Sequence, residues 1–366
     1  MGSIKQNLAN NILSDGKFDA TDLDGTIPNT NINDNSIDNV TSFPAAGSGI
    51  PSVASDPPSP SQGDVWYNTT SNAFKYVGVS TVGAWATGGN LNTARVDLAG
   101  AGTSNTSGLA FGGETPPSTG NTESYNGTSW TEVNDMNTSR FLFGGNGSQT
   151  SALAVGGLAL PGPTGNVETW DGTSWTEVNN LNTARRDVGS AGADNTSAIA
   201  IGGNGDPPRQ VGNVETWNGT SWTETTDLNT IRRIPGAVGS DSTNALAFGG
   251  EGAPGPNAAT GVTESWNGSS WTEVNDLNTA RLQMGTAGTD NTSALAYGGS
   301  GTLAVTEEWD GTSWTETTDL STARYGLAGN GTTTSALAYG GGAGPLSATE
   351  EWAGAGSPVT KTVTTA

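Results

Sequence analysis

Between Leu91 and Trp352 the chain writes one pattern six times, at intervals of roughly 45 residues. The fullest copy runs from Asn182-Thr183-Ala184-Arg185 through Gly202-Gly203 and Glu215-Thr216-Trp217 to Trp222. An arginine motif, a double glycine, a Glu-x-aromatic and a Trp recur in fixed order. A period of this length, built from short runs separated by turn residues, predicts a propeller in which each repeat is one four-stranded blade.

In the copy that starts at Arg185, strands are expected near 187–193, 197–203, 213–217 and 222–227. Asn218-Gly219, like Asp171-Gly172 and Asp310-Gly311, should supply the positive φ values of a tight hairpin between the last two strands. Trp217 and Trp222 are expected between neighbouring blades. Double glycines begin at Gly112, Gly156, Gly202, Gly249, Gly298 and Gly340, which counts six second strands. The third-strand aromatics, Tyr125, Trp170, Trp217, Trp266, Trp309 and Trp352, also number six. No fourth-strand Trp follows Trp352, and the missing one stands upstream in Gly83-Ala84-Trp85-Ala86-Thr87. The N-terminal strand around Trp85 should therefore complete the last blade, closing a six-bladed ring without open sheet edges.

The rest of the chain divides around this array. Residues 1–60 read as an extended anchoring or oligomerisation segment, with one weakly helical stretch from Ile4 to Leu13 and a Pro-rich end at Asp56-Pro57-Pro58-Ser59-Pro60. Such a segment buries too little surface to fold alone. Residues 61–82 read as a β-hairpin connector, with aromatic runs on either side of Thr69-Thr70-Ser71-Asn72. The propeller spans 83–352, and the tail 353–366 alternates like one more edge strand. Asp19, Asp22 and Asp24 before Gly25 lack the spacing and terminal Glu of a calcium loop, so no metal is expected.

Composition narrows the chemistry. The net charge is −22, from 13 basic and 35 acidic residues, and no Lys lies within the repeats. Nucleic acid and anionic membranes are therefore poor partners. There is no Cys and no His, which removes thiolate chemistry and the commonest general base. Neither a signal peptide nor a membrane span is expected, and no cofactor. Asn-x-Ser/Thr triplets such as Asn126-Gly127-Thr128 read as hairpin turns, since no secretory route is implied.

The double glycine, the third-strand aromatic, the fourth-strand Trp and the leading Arg together resemble the kelch repeat over about residues 83–352. The interval from Trp170 to Trp175 is shorter than usual for kelch, and a Glu stands two residues before each third-strand aromatic. Two N-terminal segments, Leu23-Asp24-Gly25-Thr26-Ile27-Pro28-Asn29-Thr30-Asn31-Ile32 and Gly63-Asp64-Val65-Trp66-Tyr67-Asn68-Thr69, resemble parts of bacteriophage tail-fibre and related virion proteins. That resemblance implies a virion protein that folds in the host cytoplasm and is exposed on the particle. It also implies contacts with other virion proteins through residues 1–60 and a homo-oligomer, with a trimer favoured.

Two sets of residues are candidates for function. Arg95, Arg140, Arg185, Arg232, Arg281 and Arg324 form one repeated ring, and Glu123, Glu168, Glu215, Glu264, Glu307 and Glu350 form another. With Trp they resemble the sugar sites of six-bladed fucose lectins, but identical placement in every copy is what a scaffold requires. The second set lies in the loops between second and third strands, which share a face with the links between blades. These loops differ in every copy, whereas the turns of the opposite face recur almost verbatim. Glu114, Pro116, Pro161, Asp206, Arg209, Gln210, Glu251 and Asn257 are the candidate ligand-binding residues there. The turn at Asp171-Gly172-Thr173-Ser174-Trp175 loosely resembles the sialidase Asp-box, which is structural. No single repeat holds a distinctive carboxylate pair, so catalysis is not expected. The expected function is a non-catalytic virion structural protein displaying a propeller to a host cell-surface glycan or protein. The alternatives are a lectin-type or glycan-processing propeller and a structural joint or capsid decoration protein.

Overall fold

The computed structural model describes residues 51–366 except 59, 62–63, 80–81, 206, 253–257, 357 and 363–366, and for 79 and 358–362 it describes the backbone alone. The expectations for residues 1–50, including the Ile4–Leu13 helix and the Asp19–Asp24 cluster, lie outside the described residues. So do Asp206 and Asn257. Among the described residues the fold is all-β, without a helix, and its strands form mainly four-stranded antiparallel sheets.

The chain divides into two compact units, of which one spans Val82–Gly354. Within it the fully paired sheet of the third repeat sets the pattern. Its strands are Gly189–Ala191, Ala198–Ile201, Val214–Trp217 and Trp222–Glu224, hydrogen-bonded in that order. Four further sheets repeat this meander, with first strands Ala99–Ser104, Gly144–Ser148, Gly236–Asp241 and Gly285–Asp290. The sixth draws three strands, Ala328–Thr332, Ser335–Tyr339 and Thr349–Ala353, from the end of the array and its fourth, Ala84–Thr87, from the beginning. Trp85 stands opposite Trp352 in that pairing, with ring centroids 5.2 Å apart.

Side-chain size explains how neighbouring sheets meet. Each second strand is buried on both faces, and it alternates small and large residues, as in Ser151-Ala152-Leu153-Ala154-Val155. Leu153 and Val155 cluster with Ala198, Ala200, Trp217 and Trp222 of the following sheet. Ala152 and Ala154 receive Leu109 and Phe111 of the preceding one. Large residues thus fill the space that alanines leave, as close packing demands. The same interlock sets Leu337 and Tyr339 of the last sheet against Ala110, Tyr125 and Trp130 of the first.

Two backbone devices hold consecutive sheets at this spacing. In Gly202-Gly203 both φ angles are positive, 59° and 117°, and a Cβ on Gly202 would lie 2.5 Å from the carbonyl oxygen of Arg232. Only glycine fits there, because it lacks the atom that would collide. Gly203 N then donates to that same Arg232 oxygen at 3.0 Å. The equivalent bond from Gly341 N reaches Arg95 O at 2.9 Å, joining the last repeat to the first.

The hairpin turns differ from expectation. Asn218 is not among the residues with positive φ, and Gly219 alone has it, at 87°. Trp217 pairs with Trp222 across a four-residue link, within which Asn218 Oδ1 accepts from Thr220 N at 3.0 Å and Ser221 N at 2.9 Å. The side-chain oxygen organises the turn, so Asp171 and Asp310 serve equally well. Those amide bonds hold both carboxyls below the usual range.

The other unit contains a four-stranded sheet of mixed direction. Val65–Asn68 and Ala73–Val79 form the expected antiparallel hairpin, with Ser52–Val53 parallel to one edge and Pro358–Thr362 of the tail antiparallel to the other. Asp56 accepts from Lys75 Nζ at 2.6 Å, Asn68 Nδ2 at 2.6 Å and Trp66 Nε1 at 3.0 Å. These donors, Lys75 first, lower its carboxyl to about 2.

Candidate functional site

The repeated arginines and glutamates pair inside each sheet. The six Arg–Glu separations run from 2.6 Å for Arg185–Glu215 to 3.3 Å for Arg140–Glu168, and all six arginines are 0% exposed. Glu215 also accepts from the backbone N of Asn182 at 2.7 Å and of Thr183 at 3.4 Å, while Asn182 Nδ2 reaches Trp222 O at 3.1 Å. The recurrent Asn-Thr-Ala-Arg is therefore a loop tied down by the glutamate of its own sheet. Burial lowers the guanidinium pKa values, to about 10 at Arg140 and Arg232, which leaves them charged at neutral pH. These groups are enclosed and committed, so they hold the sheet together and present nothing to a sugar.

The functional interest begins two residues later. Asp97, Leu142, Asp187, Ile234 and Gln283 each have φ between 51° and 58°, and the equivalent Gly326 has 61°. A positive φ is costly for a β-branched residue such as Ile234. It persists because the backbone is bonded from one repeat to the next. Gly326 N donates to Gln283 O, Asp97 N to Gly326 O, Leu142 N to Asp97 O, Asp187 N to Leu142 O and Ile234 N to Asp187 O, at 2.7–3.1 Å. One rigid frame thus carries five residue types in its six copies, with Asp at both 97 and 187.

In the third and fourth repeats this frame supports a row of charges. Arg186 Nε lies 3.9 Å from Asp187 Oδ2, and Arg233 Nη1 donates to the same oxygen at 2.6 Å. Arg233 Nη2 donates to Glu251 Oε2 at 2.7 Å, and Arg209 Nη2 lies 3.1 Å from Glu251 Oε1. Gln210 Nε2 adds a bond to Glu251 Oε1 at 3.3 Å. In these contacts five charges of described residues alternate in sign, from Arg186 through Asp187, Arg233 and Glu251 to Arg209. Burial works against the charge on Arg233, but its bonds to Glu251 and Asp187 outweigh that and raise its pKa. The two carboxylates are buried, whereas the Arg209 side chain is 51% exposed. Asp187 Oδ1 is buried with no hydrogen-bond partner among the described residues.

Asp97 occupies the Asp187 position in the first repeat and accepts from Gln283 Nε2 at 3.2 Å. Burial of its carboxyl raises the pKa to about 7; the Gln283 bond opposes the rise, and Asp187 and Glu114 add to it. Among the described residues no three carboxylates are grouped as a metal-ligand set.

Of the residues expected to bind ligand, the structure brings together Arg209, Gln210 and Glu251. Glu114 pairs its backbone with Val96 and Ser118 in the first repeat, and Pro116 lies in the turn between. Pro161 belongs to a small hairpin of Leu158–Ala159 with Gly162–Pro163, whose neighbour Leu160 is exposed. Arg186, Asp187, Asn204 and Arg233 lie outside the expected set. For Arg186, Asp187 and Arg233 the signal is nonetheless legible, because the two residues after each leading Arg form a different pair in all six copies: Val-Asp, Phe-Leu, Arg-Asp, Arg-Ile, Leu-Gln and Tyr-Gly.

A separate cavity of about 260 Å³ is lined by all six first strands, through residues such as Ala101, Gly145, Ser190, Val238, Thr286 and Asn330. Its lining carries no charged residue, so it offers hydrogen bonds without acid–base groups. No protein-family model matches the chain, and no curated protein sequence matches it.

Proposed function

We propose that this chain is a non-catalytic virion structural protein that displays a six-bladed, kelch-like β-propeller for recognition of a host-surface component. In this reading the six sheets of Val82–Gly354 are the blades, and Ala84–Thr87 closes the ring. Support for closure comes from the Gly341–Arg95 bond, the Leu337 and Tyr339 cluster with Trp130, and the cavity shared by the first strands. The observation that carries the functional reading is the contrast between one repeated backbone and side chains that disagree on one face. Recognition surfaces are built this way, with variable groups held on an invariant support. Assignment to a virion rests on the tail-fibre-like wording of the N-terminal region. Residues 1–60 are assigned to contacts with other virion proteins in a homo-oligomer.

Antibodies raised against the full chain test the assignment by immunogold microscopy of purified particles, with labelling expected at a fixed position. Labelled full-length protein should bind host cells and slow particle adsorption. Particles that carry no label, together with no binding to cells, would overturn the reading.

A further inference from the structure

At the strand ends opposite the variable loops, the turn between first and second strands bridges to the third strand of the preceding repeat. Asn195 Nδ2 donates to Thr169 Oγ1 at 2.7 Å and to Trp170 O at 3.1 Å. Asn291 Nδ2 donates likewise to Ser265 Oγ at 3.0 Å, and Gln149 Nε2 to Ser124 Oγ at 2.8 Å. Asn105 Nδ2 reaches Trp352 O at 3.1 Å, and Glu351 beside it accepts from the Tyr125 hydroxyl. Ser242 stands at the bridging position of the fourth repeat, where it faces a neutral Thr216. The junction of the fifth and sixth repeats is the exception. Thr333 takes the bridging position there, has no amide to offer, and pairs its hydroxyl with Ser293 Oγ at 3.1 Å. The position that the amide would serve holds Glu308, the counterpart of Thr169 and Ser265.

We propose that this notch receives the cationic side chain, lysine or arginine, of a different protein chain. Glu308 has no hydrogen-bond or ion-pair partner among the described residues. Its side chain is partly buried, yet neither oxygen is among the fully enclosed polar atoms, so the carboxylate is within reach of a visitor. Thr315 and Leu295 flank it in the sheet and bring no charge. Asp310 adds a second negative charge nearby, and its own carboxyl is taken up by Thr312 N at 2.8 Å and Ser313 N at 2.9 Å. Burial, with Asp310 behind it, raises the Glu308 carboxyl, as expected where no cation answers the charge. A half-buried carboxylate is costly without a donor, and a cationic donor gives the stronger, charge-assisted bond. The unit itself cannot supply one. Six of its arginines are interior, the other three pair with Asp187 and Glu251, and no lysine lies in Val82–Gly354. A second copy of this unit has no unpaired cation to offer either, which points to a foreign chain. The site lies away from the variable loops and does not depend on the host-recognition reading.

The test titrates full-length protein carrying 5-fluorotryptophan with the peptide acetyl-Gly-Lys-Gly-amide, and follows Trp309, next to Glu308, by fluorine NMR. The Trp309 signal is assigned from its loss in Trp309→Phe. The lysine peptide should shift that signal saturably, and the same peptide acetylated at Nζ should bind about tenfold or more weakly. Glu308→Gln should reproduce that loss, and so should Glu308→Thr, which restores the residue type of the second and third repeats. Added salt should weaken binding. Thr333→Asn places the missing amide in the notch from within, so it should weaken peptide binding severalfold without lowering the unfolding temperature. Equal binding of the acetylated peptide, an unaffected Glu308→Gln, or displacement of the peptide by an equal concentration of calcium chloride would each overturn the proposal. Sedimentation of wild type and Glu308→Gln should show the same oligomeric state. Dissociation caused by Glu308→Gln would place the cation in a second copy and overturn the assignment to a foreign chain.

Discussion

Arg185 has a counterpart of the same type in every repeat, whereas Asp187, two residues later, corresponds to Asp97, Leu142, Ile234, Gln283 and Gly326. The two positions share one backbone trace and answer to different constraints. Arg185 sits between buried strands, where a charge survives only with its glutamate and carbonyl partners in place. Asp187 sits where the backbone is fixed by bonds from the adjacent repeats, so its side chain is free to differ. Uniformity here marks the interior frame. Variation marks the face that the frame presents.

Breaking the frame should cost most. Arg185→Met leaves Glu215 buried without its cation, and urea unfolding should show a loss of about 3–5 kcal/mol. Trp85→Ala removes the ring that stands against Trp352 and donates from Nε1 to Thr306 Oγ1 at 3.1 Å. A loss of about 3–5 kcal/mol is expected, from the lost packing and cavity. If the variant unfolds like the wild type, Ala84–Thr87 is not closing the array.

Changes on the face should be milder and depend on pH. Burial raises the Asp97 carboxyl to about 7 when folded, above its usual value of 3.8. Below that lower value both states hold the proton, and the group is neutral to stability. As pH rises toward 7 the unfolded chain loses its proton first, so stability falls and the loss is complete above the folded value. Asp97→Asn should therefore match wild type at pH 4 and exceed it at pH 8 by on the order of 1 kcal/mol. Equal stability of the two proteins at both pH values would contradict the buried-carboxyl account.

The smallest expected effect is a gain. Trp175 Nε1 donates to Thr122 Oγ1 and Trp314 Nε1 to Thr263 Oγ1, each across to the preceding repeat. Trp222 Nε1 is buried without an acceptor, because Val167 stands where those repeats have Thr. Val167→Thr should supply the hydroxyl and stabilise the fold by about 0.5–1 kcal/mol in the same unfolding assay.

The frame is legible in the sequence because each of its parts is written six times. Double glycines, paired aromatics and the displaced Trp85 can be counted and aligned from the residues alone. The Asn218 turn is ambiguous at that level because its residue type fits two mechanisms, and the choice lies in a side-chain oxygen accepting from Thr220 and Ser221. The positive φ at Ile234 is not legible at all, since nothing in an isoleucine announces it and neighbouring repeats impose it. The charged row is hidden for a related reason. Its members lie up to 65 positions apart, from Arg186 to Glu251, and only the backbone frame brings them together.

The most direct test exchanges segments on the two faces of the full chain. In one variant Asn204–Gly212 is replaced by the shorter Ser300–Ala304, and in the other Asn218–Ser221 is replaced by Asp171–Ser174. Binding to host cells and thermal unfolding are measured on both. The first should lose binding at least about tenfold while still unfolding in one cooperative step, at a lowered temperature because the bonds of Gln210 and Arg209 to buried Glu251 go with the segment. The second should match wild type in both. Undiminished binding by the first variant would contradict the claim that function lies where the six copies disagree.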